Sequence, residues 1–197
     1  AALAPEALAV ELGGGVSISF RLISNGDGTD LQDPLERYTL SNDFYLMTTE
    51  VTRGMFVALM GYDSQNGRYS EESLGSVFPA NNVSWHMAAD FANHLSAAEG
   101  LASCYDCAVP GPSVSCTESE DFSGIYECPG YRLPTEAEWE QAARAGTASE
   151  FWTGEGSAMG GDCSSSGCDT GLAIQDDGET PPLGDYMWYC GNTLSGM

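Results

Sequence analysis

Lysine is absent from these 197 residues, and the six basic side chains are all arginines: Arg21, Arg37, Arg53, Arg68, Arg132 and Arg144. Against them stand 29 Asp and Glu, giving a formal net charge of -23. Nucleic acid and anionic membrane surfaces need clustered cations, so both are poor partners for this field. Cations and cationic surfaces suit it better. The chain also lacks any apolar run near the ~20 residues that a membrane-spanning helix needs. Its first residues, "AALAPEALAV", have no basic stretch and no initiator Met, and read as an already processed N-terminus. Histidine is scarce too, with only His86 and His94.

What the chain does have is apolar substance and cysteine. Hydrophobic residues are 42% of it, enough to build a core and too many for a disordered chain. The seven cysteines are Cys104, Cys107, Cys116, Cys128, Cys163, Cys168 and Cys190. A Cys-x-x-Cys opens the set, but a zinc ribbon wants a second one and the later cysteines are single, so disulfides are the better reading. The hairpin-like spacing favours Cys107–Cys116 with Cys104–Cys128, and Cys163 and Cys168 bracket a small "SSSG" loop. Cys190 is then the odd one, free or bridged to something outside this chain.

Segments of different period follow one another. "VSISFRLI" is strand-like, "SNGDGTDLQDPLE" is a turn region, and "RYTLSNDFYLM" supplies further strands. "NGDGTD" looks like a calcium loop, but Asp30 occupies the sixth position, where such a loop needs Gly, so a hairpin turn is the better reading. A helix is expected over about 51–60, with Val51, Met55, Phe56, Leu59 and Met60 on one face and Gly61 closing it. Ser84 can cap a second helix, "WHMAADFANHLSAAEG", with Trp85, Ala88, Ala89, Ala92 and Leu95 as its buried stripe. On that helix His86, Asp90 and His94 recur every four residues and could hold a metal. The better reading is the solvated side of an amphipathic helix. "NVS" at 82–84 is a glycosylation sequon, but it falls at the helix start.

"GYRLPTEAEWEQAARAG", residues 130–146, is a helix with both ends marked. Thr135 and Glu138 form a capping box, and Pro134 keeps the approach extended. Glu136, Glu138 and Glu140 load the N-terminal half, Arg144 pairs back to Glu140, and Gly146 ends the helix. Trp139, Ala142 and Ala143 make its apolar face, with Trp139 as the expected anchor.

That stretch is similar to a signature of the formylglycine-generating enzyme, or sulfatase-modifying factor, family. So are "DFYLMTTEVTRGMF", "NNVSWHMAADFANHLS" and "MWYCGNTLSG", in the same order. The resemblance implies an α+β, C-type-lectin-like fold of the formylglycine-generating-enzyme type, incomplete at the C-terminus. Residues 1–15 then read as an N-terminal extension and 16–197 as the domain, with a Cys-rich insertion at 101–129 and a Gly/Ser/acidic loop at 147–184. Active members use oxygen and a copper-binding cysteine pair to convert a substrate cysteine to formylglycine. No cysteine here matches that pair. The resemblance also implies calcium at Asn192 and the carbonyl of Thr193. Trp188, among "YMWY", is expected to be buried, with the missing half of the core supplied by more of the same polypeptide or by another subunit.

Three functions are compatible with these residues. One is a non-catalytic binding or assembly module, extracellular, at the cell surface or periplasmic. A second is a fragment of a formylglycine-generating oxidase. A third, iron-dependent sulfur–histidine chemistry, wants more histidines than two.

Overall fold

A computed structural model of the chain describes residues 6–24, 30–33, 35–64 and 76–146. They fall in two compact units. One holds the described residues up to Leu31 and from Leu40 to Glu138; the other holds those from Gln32 to Thr39 and from Trp139 onward.

The first unit opens with a hairpin of β1 (Ala7–Gly13) and β2 (Val16–Ile23), and β5 (Phe44–Met47) lines the other edge of β2. Leu8 lies opposite Phe20 and Val10 opposite Ile18, so the period-2 pattern of both strands turns one face inward. The turn is three glycines, Gly13, Gly14 and Gly15, all at positive φ, which only glycine adopts without strain. Residues 7–13 are therefore a strand of the sheet and not an extension outside it. Their alternation "LAVEL" buries Val10 to 1% exposure, which ties them to the core. The short strands β3 (Leu31–Gln32) and β4 (Thr39–Leu40) pair with each other.

Two helices follow, the first packed on the sheet and the second on the first. Helix α1 (Arg53–Met60) starts at Thr52, whose hydroxyl accepts from Met55 N–H at 3.2 Å, and stops at Gly61 in the left-handed region. Its first free N–H groups are met by the passing chain: Arg53 donates to Phe78 O and Gly54 to Ser76 O, both at 2.8 Å. A Cβ on Gly54 would come 3.0 Å from that Ser76 oxygen, so the close approach needs glycine. Helix α2 (Trp85–Ala98) starts at Ser84, which caps Met87 N–H. Met87, Phe91 and Leu95 recur every four residues and face the core, where Phe91 stacks on Phe56 of α1 at 5.9 Å.

Trp85 does not belong to that buried stripe. It lies on the interior arc of α2 but in its first turn, and it stays 48% exposed with its edge against Tyr105. Asp90 departs in the opposite sense. It is buried rather than on a solvated face, because it looks toward the segment that follows α2.

That segment folds back as a second hairpin, β6 (Tyr105–Ala108) and β7 (Ser115–Glu118), then a 3-10 turn (Ile125–Glu127), then α3 (Glu136–Arg144). Disulfides join Cys104 to Cys128 and Cys107 to Cys116. Ser96 of α2 guides the return: its hydroxyl donates to Ala92 O at 3.0 Å and accepts from Tyr131 N–H at 2.8 Å. Gly130 is required there, since any Cβ would collide with the Ala102 carbonyl and sit 2.8 Å from Ser96 Oγ.

The start of α3 is held by charge as much as by its cap. Thr135 and Glu138 exchange hydrogen bonds of 2.8 and 3.2 Å. The Glu138 carboxylate also takes both arms of the Arg132 guanidinium, at 2.7 and 2.8 Å, while the Arg132 head lies over the Tyr126 ring. Trp139 is no anchor: it is 60% exposed, and Glu138 and Gln141 are the buried residues of α3. In the second unit Arg37 bridges Asp33 and Glu140, each at 2.7 Å, and Arg144 meets Glu140 at 2.9 Å. The Arg37 guanidinium holds the Asp33 carboxyl down to about 2.

Burial opposes ionisation of Glu138, but Arg132 and the Thr135 N–H outweigh it and the pKa falls. A depressed carboxylate stabilises the fold above its unfolded pKa of about 4.3 and loses that stabilisation as pH drops through the folded value. Arg132→Met strands the buried Glu138 and should cost about 3–5 kcal/mol at pH 7. The loss should shrink as pH falls, first because the stranded carboxyl protonates in the variant and then because Glu138 of the unaltered protein protonates at its depressed value. Urea melts of the two proteins across pH check this; an equal loss at pH 7 and pH 3 contradicts it.

Candidate functional site

Between α2 and the outer edge of β6 the chain leaves an open depression of about 620 Å³. It is built by the way α2 holds the hairpin. In the β6–β7 register Cys107 faces Cys116 and Tyr105 faces Glu118. The Cα atoms of Cys107 and Cys116 are 4.1 Å apart, the short spacing of a pair that does not exchange backbone hydrogen bonds. The N–H and C=O groups of Cys107, Cys116 and, by period 2, Tyr105 therefore point away from the partner strand.

Side chains of α2 meet these outward groups on both edges. Asn93 Oδ1 accepts from Cys104 and Tyr105 N–H at 3.1 and 3.2 Å, and its Nδ2 donates to Tyr105 O at 2.7 Å. On the other edge His86 Nδ1 lies 3.1 Å from both the N–H and the C=O of Cys116, and its tautomer decides which of the two it bonds. Seven residues of helix rise about 10.5 Å, which matches two strands ~4.8 Å apart with a ~2.9 Å hydrogen bond on each side. The hairpin thus lies across α2, gripped at both edges. Tyr105 carries the hold further. Its ring is buried beneath Trp85, its hydroxyl accepts from Leu133 N–H at 2.9 Å, and burial pushes its pKa up.

The depression opens beside this grip. Asp90 and His94 come from α2, Ser103 from the connection, and Asp106 and Cys107 from β6. Asp90 is 9% exposed and its Oδ1 lies 3.8 Å from His94 Nε2. Of the candidate metal triad, only Asp90 and His94 share this place, since His86 is spent on Cys116. No group of three or more His, Cys, Asp or Glu positioned for a metal occurs among the described residues. Cys163, Cys168, Trp188, Cys190, Asn192 and Thr193 lie outside the described residues, as does most of "NGDGTD". No helix among the described residues is long and apolar enough to cross a membrane.

Asn93 was not among the residues the sequence singled out. Its only sign there is an amide set between apolar turns of a helix, and its partners follow from how the later chain docks.

Asn93→Leu removes three hydrogen bonds and leaves two buried N–H groups unmet, at about 1–3 kcal/mol per orphaned group. Hydrogen exchange at Cys104 and Tyr105 should accelerate while exchange in β1–β2 changes only with global stability. Unchanged protection at both amides would show that Asn93 does not hold the hairpin.

Residues 4–179 match the family described as sulfatase-modifying factor enzyme 1-like domain. The chain is similar to the chaperone protein LppX of Paenibacillus barcinonensis, with 32% identity over 156 residues, covering 76% of this chain and 50% of that protein. It thus spans about half the length of that relative. Among solved structures, Treponema denticola variable protein 1 superposes with a TM-score of 0.53 at 26% identity, over 75% of this chain and 60% of the other. The mixed sheet-and-helix architecture and the match over most of its length agree: the chain belongs to the sulfatase-modifying factor enzyme 1-like domain family, with its C-type-lectin-like fold.

Proposed function

We propose that this domain is a non-catalytic binding or assembly module that works outside the cytoplasm. The observation that carries the reading is the hairpin gripped at both edges by α2 and closed by two disulfides. A surface held this way enters a complex already ordered, so little of the interaction energy is lost to ordering it. Exposed apolar side chains flank it, Trp85 at the start of α2 and Val109 at the hairpin tip. Disulfides form and persist in oxidising compartments, which supports a place at the cell surface or in an envelope space. The name of the Paenibacillus relative, a chaperone protein, supports a role in holding other proteins.

Family membership favours one other reading, a portion of a copper- and oxygen-dependent formylglycine-generating oxidase. Copper chemistry of that kind needs exposed thiolates. Cys104, Cys107, Cys116 and Cys128 do not fit it, because each sulfur is already bonded to another.

One experiment separates the two. The chain is mixed with copper, oxygen and a cysteine-containing peptide, and separately with unfolded model proteins of both charge signs. The binding reading predicts an unchanged peptide mass and reduced light scattering from at least one class of unfolded protein. A peptide that loses its thiol and gains an aldehyde establishes the oxidase instead. Unchanged scattering with every unfolded protein counts against holding clients.

A further inference from the structure

We propose that the depression on the outer edge of β6 receives a cationic side chain, the arginine or lysine of an extended, basic peptide segment. The proposal rests on the binding reading above and names what the domain binds.

Three observations converge there. The first is the strand edge. Tyr105 and Cys107 both turn their backbone N–H and C=O outward, and Asn93 takes those of Tyr105. The Asn93 amide thereby stands where the first peptide unit of a neighbouring strand would stand. The next outward unit, Cys107, has no backbone partner among the described residues and lines the depression. An extended segment can continue the edge from the point where the Asn93 amide stops, as peptides do in strand addition.

The second is Asp90. Its side chain is 12% exposed, it lines the depression, and among the described residues its nearest basic atom is His94 Nε2 at 3.8 Å, beyond hydrogen-bonding distance. A carboxylate largely withdrawn from water favours a nearby cation, and a guanidinium or ammonium can reach it from the open side of the depression. Asp106 adds a second carboxylate and Ser103 a hydroxyl acceptor on the same wall.

The third is the field of the whole chain. With 29 acidic residues, six arginines and no lysine, it draws in cations and repels acidic segments. The volume of about 620 Å³ suits one long side chain with its flanking backbone. A directly coordinated divalent ion is the weaker occupant, since two carboxylates and a lone imidazole do not converge into a metal group here.

The test is an NMR titration of the full chain with three capped peptides, Thr-Val-Xaa-Val-Thr, where Xaa is arginine, citrulline or glutamate. Citrulline keeps the shape of arginine and removes the charge. The arginine peptide should shift the Asp90, Asp106 and Cys107 amides, and should bind at least about tenfold more tightly than the citrulline peptide. Asp90→Asn should weaken the arginine peptide by a similar factor, and the exposed Asp106→Asn by a smaller one. The citrulline comparison is made on the unaltered chain, so it stands even if Asp90→Asn fails to fold.

Equal affinity for arginine and citrulline, shifts confined to other surfaces, or no binding overturns the proposal. So does calcium chloride reproducing the same shifts at lower concentration than the peptide, which would make the place a cation site. If the peptides fail while unfolded acidic and basic proteins are still protected from aggregation alike, the binding reading survives and this inference alone falls.

Discussion

Three hydrogen bonds from one amide, that of Asn93 to the backbone of Cys104 and Tyr105, settle where the β6–β7 hairpin lies. They place β6 on α2, and the His86 bond to Cys116 sets β7 on the same helix two turns earlier. Tyr105, once placed, offers its hydroxyl to Leu133 N–H. Leu133 is flanked by Arg132, which grips Glu138 in the first turn of α3. Each step satisfies a buried polar group that would otherwise cost about 1–3 kcal/mol, so the steps reinforce one another. The chain from residue 101 to 135 has little ladder of its own, and the polar side chains of α2 supply what a larger sheet would supply elsewhere.

This economy leaves strain where the chain turns. Val109 sits at φ 60°, a region that a β-branched residue enters only under constraint. The constraint is visible: the Cys107–Cys116 bond closes the strands just before it, and Val114 is buried just after it. Its side chain is nonetheless 61% exposed. A strained, exposed, apolar tip on a rigid stem is the arrangement expected of a contact residue, and it agrees with the binding role proposed for the hairpin.

Local features of the fold were legible in the sequence. Ser84, Gly61 and the Thr135–Glu138 box act within one turn of helix, so neither packing nor partners alter them. The Cys107–Cys116 separation of nine residues is that of a hairpin, and the β6–β7 hairpin carries both cysteines. The three family-like segments that lie within the matched residues 4–179 were legible for the same reason, since each is a contiguous run. Features that depend on how elements dock were not. Trp85 and Trp139 are apolar and lie on plausible faces, yet one stands at a helix end and the other is exposed while Glu138 and Gln141 are the buried residues of α3. Asp90 has the sequence setting of a solvated residue and becomes buried only when β6 arrives. Residues 7–13 were hidden by an alanine-rich, weakly strand-like composition, although the alternation of Leu8, Val10 and Leu12 and the glycine turn both marked a strand. Asn93 carries the heaviest duty in the candidate site, and nothing adjacent to it in sequence says so.

The binding role proposed for the hairpin requires that α2 and the two disulfides hold it in one shape before any partner arrives. Backbone 15N relaxation of the free, oxidised chain measures this. Order parameters of about 0.85 are expected across 104–118, equal to those of α2. Values below about 0.6 along β6 and β7 would mean that the hairpin is shaped by its partner and is not held in advance.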